Sequence, residues 1–388
     1  MHILVCNVGS TSLKYQLFSM DGDPVVLARG GAERVGTPKS LFYITDPATG
    51  AKTSREDAFP THLEAIRAML DALGPLEVSC VAFKVVHARG VTGVQYLTDE
   101  VLAAMEAFNA VAPAHNPPYL AAIRLFRQAM PGVPLIGAFE TAFHAQMPPE
   151  AKLYSIPIEL TKQHDIYRYG FHGASHEFLS RFAMERLGTA HSRIISCHLG
   201  GSGSICAVKD GVSIDTSMGL SLQCGVMHNN RCGDIDPYII FYLVEACGMT
   251  LPEVKELLQT KSGFYGMTGG LSDLRDVEQV ADRGDTDAEN AIRAYAYSIK
   301  KYIGAYTAAL GGLDAIVFGG GIGTNSSRVR ALALDGLECL GIRLDRAKND
   351  APDGCDLSEA GAPVRIYLAE TNEELVVAKK AAGLLQEK

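Results

Sequence analysis

Two stretches half a chain apart share one plan, and that repetition constrains the fold more than any other feature of the sequence. In HILVCNVGSTSLKYQLFSMDGD (residues 2–23) an apolar run meets a Gly/Ser turn, a partly alternating run follows, and a polar turn closes it. RIISCHLGGSGSICAVKDG (193–211) repeats this order. Short apolar runs bounded by glycine-rich turns read as the strands of hairpins. Sliding the chain by 191 positions places Cys6 on Cys197, Asn7 on His198, Val8 on Leu199 and Gly9 on Gly200. Two such hairpins, each opening a strand meander, point to a duplicated domain.

Helical and extended patterns alternate in the rest of the chain. FPTHLEAIRAMLDAL, DEVLAAMEAFNAVA and PPYLAAIRLFRQAM carry apolar residues at helical spacing, while VSCVAFKVVHARG and VPLIGAFET read as buried strands. The second half continues with SHEFLSRFAMERLG, DPYIIFYLVEACG, LPEVKELLQ and a long helix from Ala288 to about Leu310, interleaved with LDAIVFGGG and VRIYLAE. NEELVVAKKAAGLLQEK is a final amphipathic helix. This order implies α/β layers. No low-complexity linker separates the halves, so the two domains are expected to meet closely in a cleft.

Composition closes off several classes of function. A chain of 388 residues has room for two domains, and 47% apolar with 20% charged residues describes an ordinary globular protein. The net charge of -9 argues against sequence-independent binding to nucleic acid, which requires a basic face. No run reaches about 18 apolar residues, so no membrane span is expected, and MHILVCNVGS lacks the features of a signal peptide. Nine cysteines without a CxxC read as reduced, mostly buried thiols, which leads to the expectation of a cytoplasmic protein.

Several stretches carry residues with chemical capacity. NVGSTSLK (7–14) gathers Asn7, the hydroxyls of Ser10, Thr11 and Ser12, and Lys14 around one turn. It reads equally as a phosphate cradle and as a solvated hairpin turn, and the GxxxxGK[ST] of a P-loop is absent. VFGGGIGTNS (317–326) ends a strand with three glycines ahead of the apparent helix SSRVRALALDGLECLG. An adenosine-diphosphate site and a tight turn both satisfy that pattern. In YGFHGASH (169–176), His172 reads either as a donor to a charged transition state or as a cap of the next helix. The spacing to His176 lacks a third ligand for zinc. NNRCGDIDP (229–237) sets Arg231 in a loop, as a surface ion-pair partner or as a planar clamp on phosphate oxygens. Glu140 ends a strand, and Glu373 and Glu374 open the last helix, where acids ordinarily complement the dipole.

Together NVGSTSLKYQLF, APAHNPP, FETAFHAQMP, YGFHGASH, CHLGGSGS, DTSMG, RCGDIDP, KSG, GGGIGTNS and TNEEL resemble the acetate kinase family, from Asn7 to Glu373. The resemblance implies an α/β fold of two duplicated actin-like ATPase (ribonuclease H-like) domains around a central nucleotide cleft. Residues 1–143 would form the first, with the C-terminal helix 375–388 packed back on it. Residues 144–374 would form the nucleotide-binding and dimerising second. The resemblance also implies a homodimer that transfers the γ-phosphoryl group of Mg-ATP reversibly to a short carboxylate, acetate, propionate or a related acid, by direct in-line transfer. On the same basis Arg231 and His172 stabilise the transferring oxygens, with His115 and His198 lining the cleft. Asn7 and Glu373 position Mg2+. Ser10, Ser12, Lys14, Gly200 and Gly201 lie on the phosphate side, and Asp273, Leu274, Arg275, Gly321, Ile322 and Asn325 hold ADP or ATP.

Three positions depart from the family pattern. Where the family reads HRVVHGG this chain has FKVVHARG, so Lys84 stands in place of an arginine that clamps the acceptor carboxylate. A compact ammonium cannot reproduce a two-pronged contact, and Arg89 is the nearby guanidinium able to do so. Glu140 replaces the acid of FDTAFH, and Gly201 replaces the asparagine of HLGNGSS. The acyl pocket maps to Val86, Ala114, Phe171 and Leu222, with Ala114 smaller than the usual leucine. Two alternatives follow from these departures: another phosphoryl donor such as pyrophosphate, or an impaired paralogue that binds nucleotide or metabolite as a regulator.

Overall fold

Glycine and serine at residues 9 to 12 break an apolar strand and return it on itself. In the computed structural model, which describes residues 1–75 and 77–387, β1 (His2–Gly9) pairs antiparallel with β2 (Ser12–Ser19) from His2↔Ser19 to Gly9↔Ser12. Leu76 and Lys388, the last residue of the expected C-terminal helix, lie outside the described residues. The meander runs outward through β3 (Val25–Glu33), β4 (Ser40–Thr45) and β5 (Lys52–Asp57). On the other side of β1 come β6 (Cys80–Val85), parallel to it, then β7 (Val94–Tyr96) and β8 (Leu135–Phe139). The sheet order is β5-β4-β3-β2-β1-β6-β8-β7.

Parallel neighbours need a crossover, and helices supply it. His62–Leu73, between β5 and β6, starts from a capping box in which Thr61 and Glu64 satisfy each other's backbone donors. The final helix, Glu373–Gln386, returns to this sheet and buries Val377, Ala378, Ala381 and Ala382 in one cluster with Ile3, Val5 and Ile136. Small side chains on that face let the helix axis approach the strands closely. Met1–Ala142 with Asn372–Lys388 thus form one compact unit, and Phe143–Thr371 form the other.

The second unit is built on β9 (Arg193–Leu199), β10 (Gly203–Lys209), β11 (Val212–Thr216), β12 (Ala315–Gly319) and β13 (Arg365–Leu368). Asp210 and Gly211, both at positive φ (52° and 79°), make the tight turn from β10 to β11. The order β11-β10-β9-β12-β13 matches β3-β2-β1-β6-β8: an antiparallel meander of three strands continued by two parallel ones. Through their first seven residues β1 and β9 also alternate between buried and half-buried positions identically. Asn7 and His198 therefore occupy one and the same slot in the two copies.

Thr286–Leu310 is the longest helix in this unit, capped by Asp285 and ended by Gly311 at φ 70°. Ala288, Ala291, Ile292, Tyr295, Ile299, Ile303, Tyr306 and Leu310 form its apolar stripe and join Ile195, Cys197 and Phe318 of the sheet in one core. The glycine-rich stretch after β12 differs from the sequence expectation. Rather than a turn ahead of a helix, Gly320–Asn325 is itself a short helix, and Ser326 caps a second one, Ser327–Leu334. Among the described residues no helix is long and apolar enough to cross a membrane.

The closeness of the last helix to its sheet yields a test. Ala381→Asp places a carboxylate in a fully buried position within an apolar cluster, and should destabilise the protein by at least about 3 kcal/mol in chemical denaturation. A change below about 1 kcal/mol would show that the helix is not docked as described.

Candidate active site

Glycines at the ends of β9 and β12 leave backbone where side chains would otherwise stand. Gly200 and Gly201 form the tip of the β9–β10 hairpin, and parallel pairing of β12 with β9 ends at Gly319↔His198. Gly320 follows at φ 76°, and a Cβ there would lie 2.6 Å from the Leu199 carbonyl oxygen, so only glycine fits. The short helix thereby begins directly beside the hairpin tip. A cavity of about 600 Å3 opens between them, walled by Gly200, Gly201, Asp273, Leu274, Arg275, Gly321, Ile322 and Asn325, all eight of the nucleotide-side residues nominated in this half of the chain. Asn229, Glu278 and Ser326 complete the wall.

Two supports hold this wall in shape. Asp273 caps the helix Leu274–Ala281, accepting from the Arg275 backbone N–H at 2.9 Å, and its carboxylate pairs with the Arg275 guanidinium at 2.6 Å. Those Arg275 contacts bring its carboxyl down to about 2, so it is ionised at any working pH. Arg330 is 1% exposed and donates to the carbonyls of Gly323 and Thr324 at 2.8 and 3.0 Å, while Asn349 accepts its remaining donors. A cation at the C-terminal carbonyls of the glycine helix completes them and complements the helix dipole. Sequence reasoning missed Arg330, because in SSRVRALAL it reads as one more polar residue of an amphipathic helix.

The histidines of the second unit form a linked set. His172 lies in the left-handed region (φ 58°, ψ 29°) at the start of helix Gly173–Leu187, a conformation that costs a non-glycine residue about 1–3 kcal/mol. Its Nδ1 meets Ser204 Oγ at 2.8 Å, and the Nδ1 of His198 meets Ser175 Oγ at 2.6 Å. The two rings stand 4.4 Å apart between centroids, tilted by 36°. Behind them, buried His176 bridges Ser204 and Ser196 at 2.7 Å each. Burial, reinforced by His144 and His198, holds His176 well below the ordinary imidazole range, so it is neutral. The serine hydroxyls fix the orientation of these imidazoles.

Arg231 is half-buried and donates to the Leu222 carbonyl at 2.7 Å, and among the described residues it has no carboxylate partner. Burial lowers it to about 10, which leaves it a cation at neutral pH. Three residues earlier in the chain, His228 is 1% exposed and accepts the Gly203 backbone N–H through Nδ1 at 3.1 Å. Burial, and then the Arg231 charge, pull His228 down to about 3. Leu222 and Phe171 are both buried, the latter accepting from His144 through its carbonyl.

The first unit collects the other nominated residues. Lys84, on β6, places its Nζ 2.5 Å from Glu373 Oε2 and 3.7 Å from Glu140 Oε1. Burial alone would lower the ammonium, but Glu140 and then Glu373 outweigh it and hold Lys84 well above its ordinary value. Lys84 and Glu373, assigned separate tasks from sequence, are thus one ion pair. The Tyr119 hydroxyl donates to Asn7 Oδ1 at 2.8 Å and accepts the Val8 backbone N–H. Tyr119 was invisible in the sequence, where it belongs to the apolar face of PPYLAAIRLFRQAM. Lys14 faces Asn7 across the β1–β2 ladder, and both line a separate cavity of about 230 Å3. Ser10 is exposed and Ser12 half-buried at the hairpin tip. His115 is half-buried at the start of helix Asn116–Ala129; Val86 is buried nearby in chain order, and Arg89 and Ala114 are exposed. Among the described residues no three or more His, Cys, Asp or Glu side chains form a metal-holding group.

Comparison with known proteins adds an independent line. A model of the acetokinase family matches residues 2–379. The acetate kinase of Coprothermobacter proteolyticus is 42% identical over 392 residues, covering 98% of both chains. Among solved structures, the acetate kinase of Porphyromonas gingivalis superposes with a TM-score of 0.89 at 36% identity over 99% of each chain. The propionate kinase of Francisella tularensis gives 0.91 at 33% identity over 98% of each.

The two neutral histidines make stability fall in acid. Unfolded histidine titrates near pH 6.5, whereas native His176 and His228 resist the proton, so below about 6.5 the unfolded chain gains protons that the native state does not. Each contributes a slope of up to about 1.4 kcal/mol per pH unit between about 6.5 and the native value. Denaturation between pH 7 and 4 should show a shallower decline for His228→Gln than for the wild type; equal slopes would contradict a neutral buried His228.

Proposed function

The chain belongs to the acetokinase family, and from that premise we propose that it phosphorylates a short-chain carboxylate with ATP, reversibly, giving an acyl phosphate and ADP. The observation that carries this reading is Arg231: a half-buried cation with no carboxylate partner among the described residues, in the unit that also holds the glycine-walled cavity. Such a charge is costly unless an anion completes it, and phosphate oxygens suit its planar donors.

In the reaction an acceptor carboxylate oxygen forms a bond to the γ-phosphorus while the bond from that phosphorus to the bridging oxygen of ADP breaks. No covalent enzyme intermediate is needed, so positioning and charge stabilisation are the whole task of the protein. Arg231 and His172 take the charge of the transferring oxygens, with His198 and His115 as further donors. The Ser204 contact fixes the His172 ring, and the Ser175 contact fixes that of His198.

Asn7 and Glu373 offer hard oxygen donors of the kind Mg2+ takes and would hold it. When bound, Mg2+ neutralises charge on the phosphate chain. Tyr119 orients Asn7 for that task, and Lys84 holds Glu373. On the acceptor side Lys84 already serves two carboxylates, which leaves the two-pronged contact to Arg89. Val86, Ala114, Phe171 and Leu222 supply apolar surface for the acyl group. One methylene in such a pocket discriminates by only about 1–3 kcal/mol, so acetate and propionate both fall within reach. Pyrophosphate as donor is disfavoured, because it leaves most of the cavity wall around Asp273, Ile322 and Asn325 without a partner.

Self-association is part of this reading. Helix Tyr238–Glu245 buries none of its residues and exposes Tyr238 (75%), Phe241 (54%) and Tyr242 (66%), a contiguous aromatic face typical of an interaction surface. A second copy of the chain is the proposed partner. All nine cysteines are free, which suits a cytoplasmic setting.

Hydroxamate trapping of acyl phosphate from Mg-ATP with a panel of short acids should give product, and Arg231→Ala should lower kcat at least about 1,000-fold without changing the melting temperature. No product with any acid would overturn the assignment. By sedimentation the wild type should run as a dimer at micromolar concentration and Phe241→Glu as a monomer; a monomeric wild type would remove the dimer.

A further inference from the structure

Resting on the reading of the glycine-walled cavity as the nucleotide site, we propose that Asn229 is a phosphate-contacting residue of that site. Its carboxamide fills the space that a side chain at position 201 would otherwise occupy. Neither sequence pattern nor family resemblance singles out Asn229.

The geometry is specific. A Cβ built on Gly201 would lie 3.1 Å from Asn229 Nδ2, closer than an ordinary contact, and 3.5 Å from its Cγ, in van der Waals contact. The two residues are also joined by backbone, since the Asn229 N–H donates to the Gly201 carbonyl at 3.0 Å. On the far side the Tyr265 N–H donates to the Asn229 carbonyl at 2.8 Å, and His228 accepts from Gly203 N–H at 3.1 Å. Loop residues 228 and 229 are therefore laced to the tip of the β9–β10 hairpin, and the Asn229 main chain is fully bonded.

Its side chain is the opposite. Oδ1 is buried without a hydrogen-bond partner, and among the described residues nothing accepts from Nδ2. Nδ2 is the end that bears on an anion: it is a donor on the cavity wall for which the protein supplies no acceptor, and a phosphate oxygen would supply one. The cavity already presents Gly200, Gly201 and Gly321, where backbone approaches closely. An anion there accepts from Nδ2 as it does from backbone N–H groups. Gly201 stands where the resembled family keeps an asparagine, so the chain carries this carboxamide on the neighbouring loop, and the bare Gly201 is what makes room for it.

The experiment compares Asn229→Ala, Asn229→Asp, Gly201→Asn and the double variant Gly201→Asn with Asn229→Gly. ADP affinity is read by calorimetry, and KM for ATP and for the acid by steady-state kinetics. Loss of a hydrogen bond to a charged group predicts that Asn229→Ala weakens ADP and raises KM for ATP by about 10-fold or more, leaving KM for the acid within about twofold. Asn229→Asp, of the same shape, should weaken ADP further by repulsion, and it stands in if the alanine variant does not fold. Gly201→Asn alone should also weaken ADP, because its side chain meets Asn229. In the double variant, affinity should return to within about threefold of wild type. ADP affinity unchanged in both Asn229 variants, or a double variant no better than Gly201→Asn alone, overturns the inference. A wild type that binds ADP but phosphorylates no acid overturns the proposed activity and leaves this inference to the binding data; a wild type that binds no ADP overturns both.

Discussion

The parallel pairing of β12 with β9, running from Ala315↔Ile194 to Gly319↔His198, is the constraint on which the second unit depends. It ends two strands side by side, one in the His198 hairpin and the other in the glycine helix. A Cβ on Gly320 would lie 2.6 Å from the Leu199 carbonyl oxygen, so glycine there lets the helix start immediately beside the hairpin. The cavity wall, the Arg330 contacts to Gly323 and Thr324, and the approach of Asn229 to Gly201 all follow from that register. A slip of one residue would turn every side chain on β12 to the opposite face and dismantle the arrangement.

Charge is handled in contrasting ways in the two units. In the first, the Lys84 ammonium is shared between Glu373 and Glu140, so a buried cation meets its counter-charges within the unit. In the second, Arg231 has a backbone carbonyl and, among the described residues, no acid, while His176 and His228 are held neutral. A neutral His228 close to Arg231 adds no positive charge there, so the local demand for an anion falls on the Arg231 guanidinium. Desolvated groups that cannot find partners neutralise or wait for a ligand, and this unit shows both outcomes.

Much of the architecture was legible because it rests on local chemistry. Glycine–serine turns announced the hairpins, the 191-residue offset announced the duplication, and the spacing of Ala288, Ile292, Tyr295 and Ile299 announced the long helix. The site was legible only in pieces. Gly200, Gly321 and Asp273 were nominated from separate stretches, but their sharing of one cavity depends on strand order. Tyr119 and Arg330 were missed because a hydrogen-bonding role for a residue on an apolar face leaves no local trace. The start of the glycine helix was misplaced because three glycines in a row read as a turn, and packing against Leu199 overrides that propensity.

By itself the sequence determined the repeated unit, the kinds of residue available for phosphate chemistry, and the family to which they conform. Periodicity and turn composition act over a few residues, so those properties survive in a linear string. Tertiary structure alone decided which distant residues share a charge or a space. Lys84 meets Glu373 across 289 positions of chain, and Asn229 takes the volume beside Gly201 from a different loop. Such pairings depend on distance through the folded core, and separation along the chain carries no measure of it.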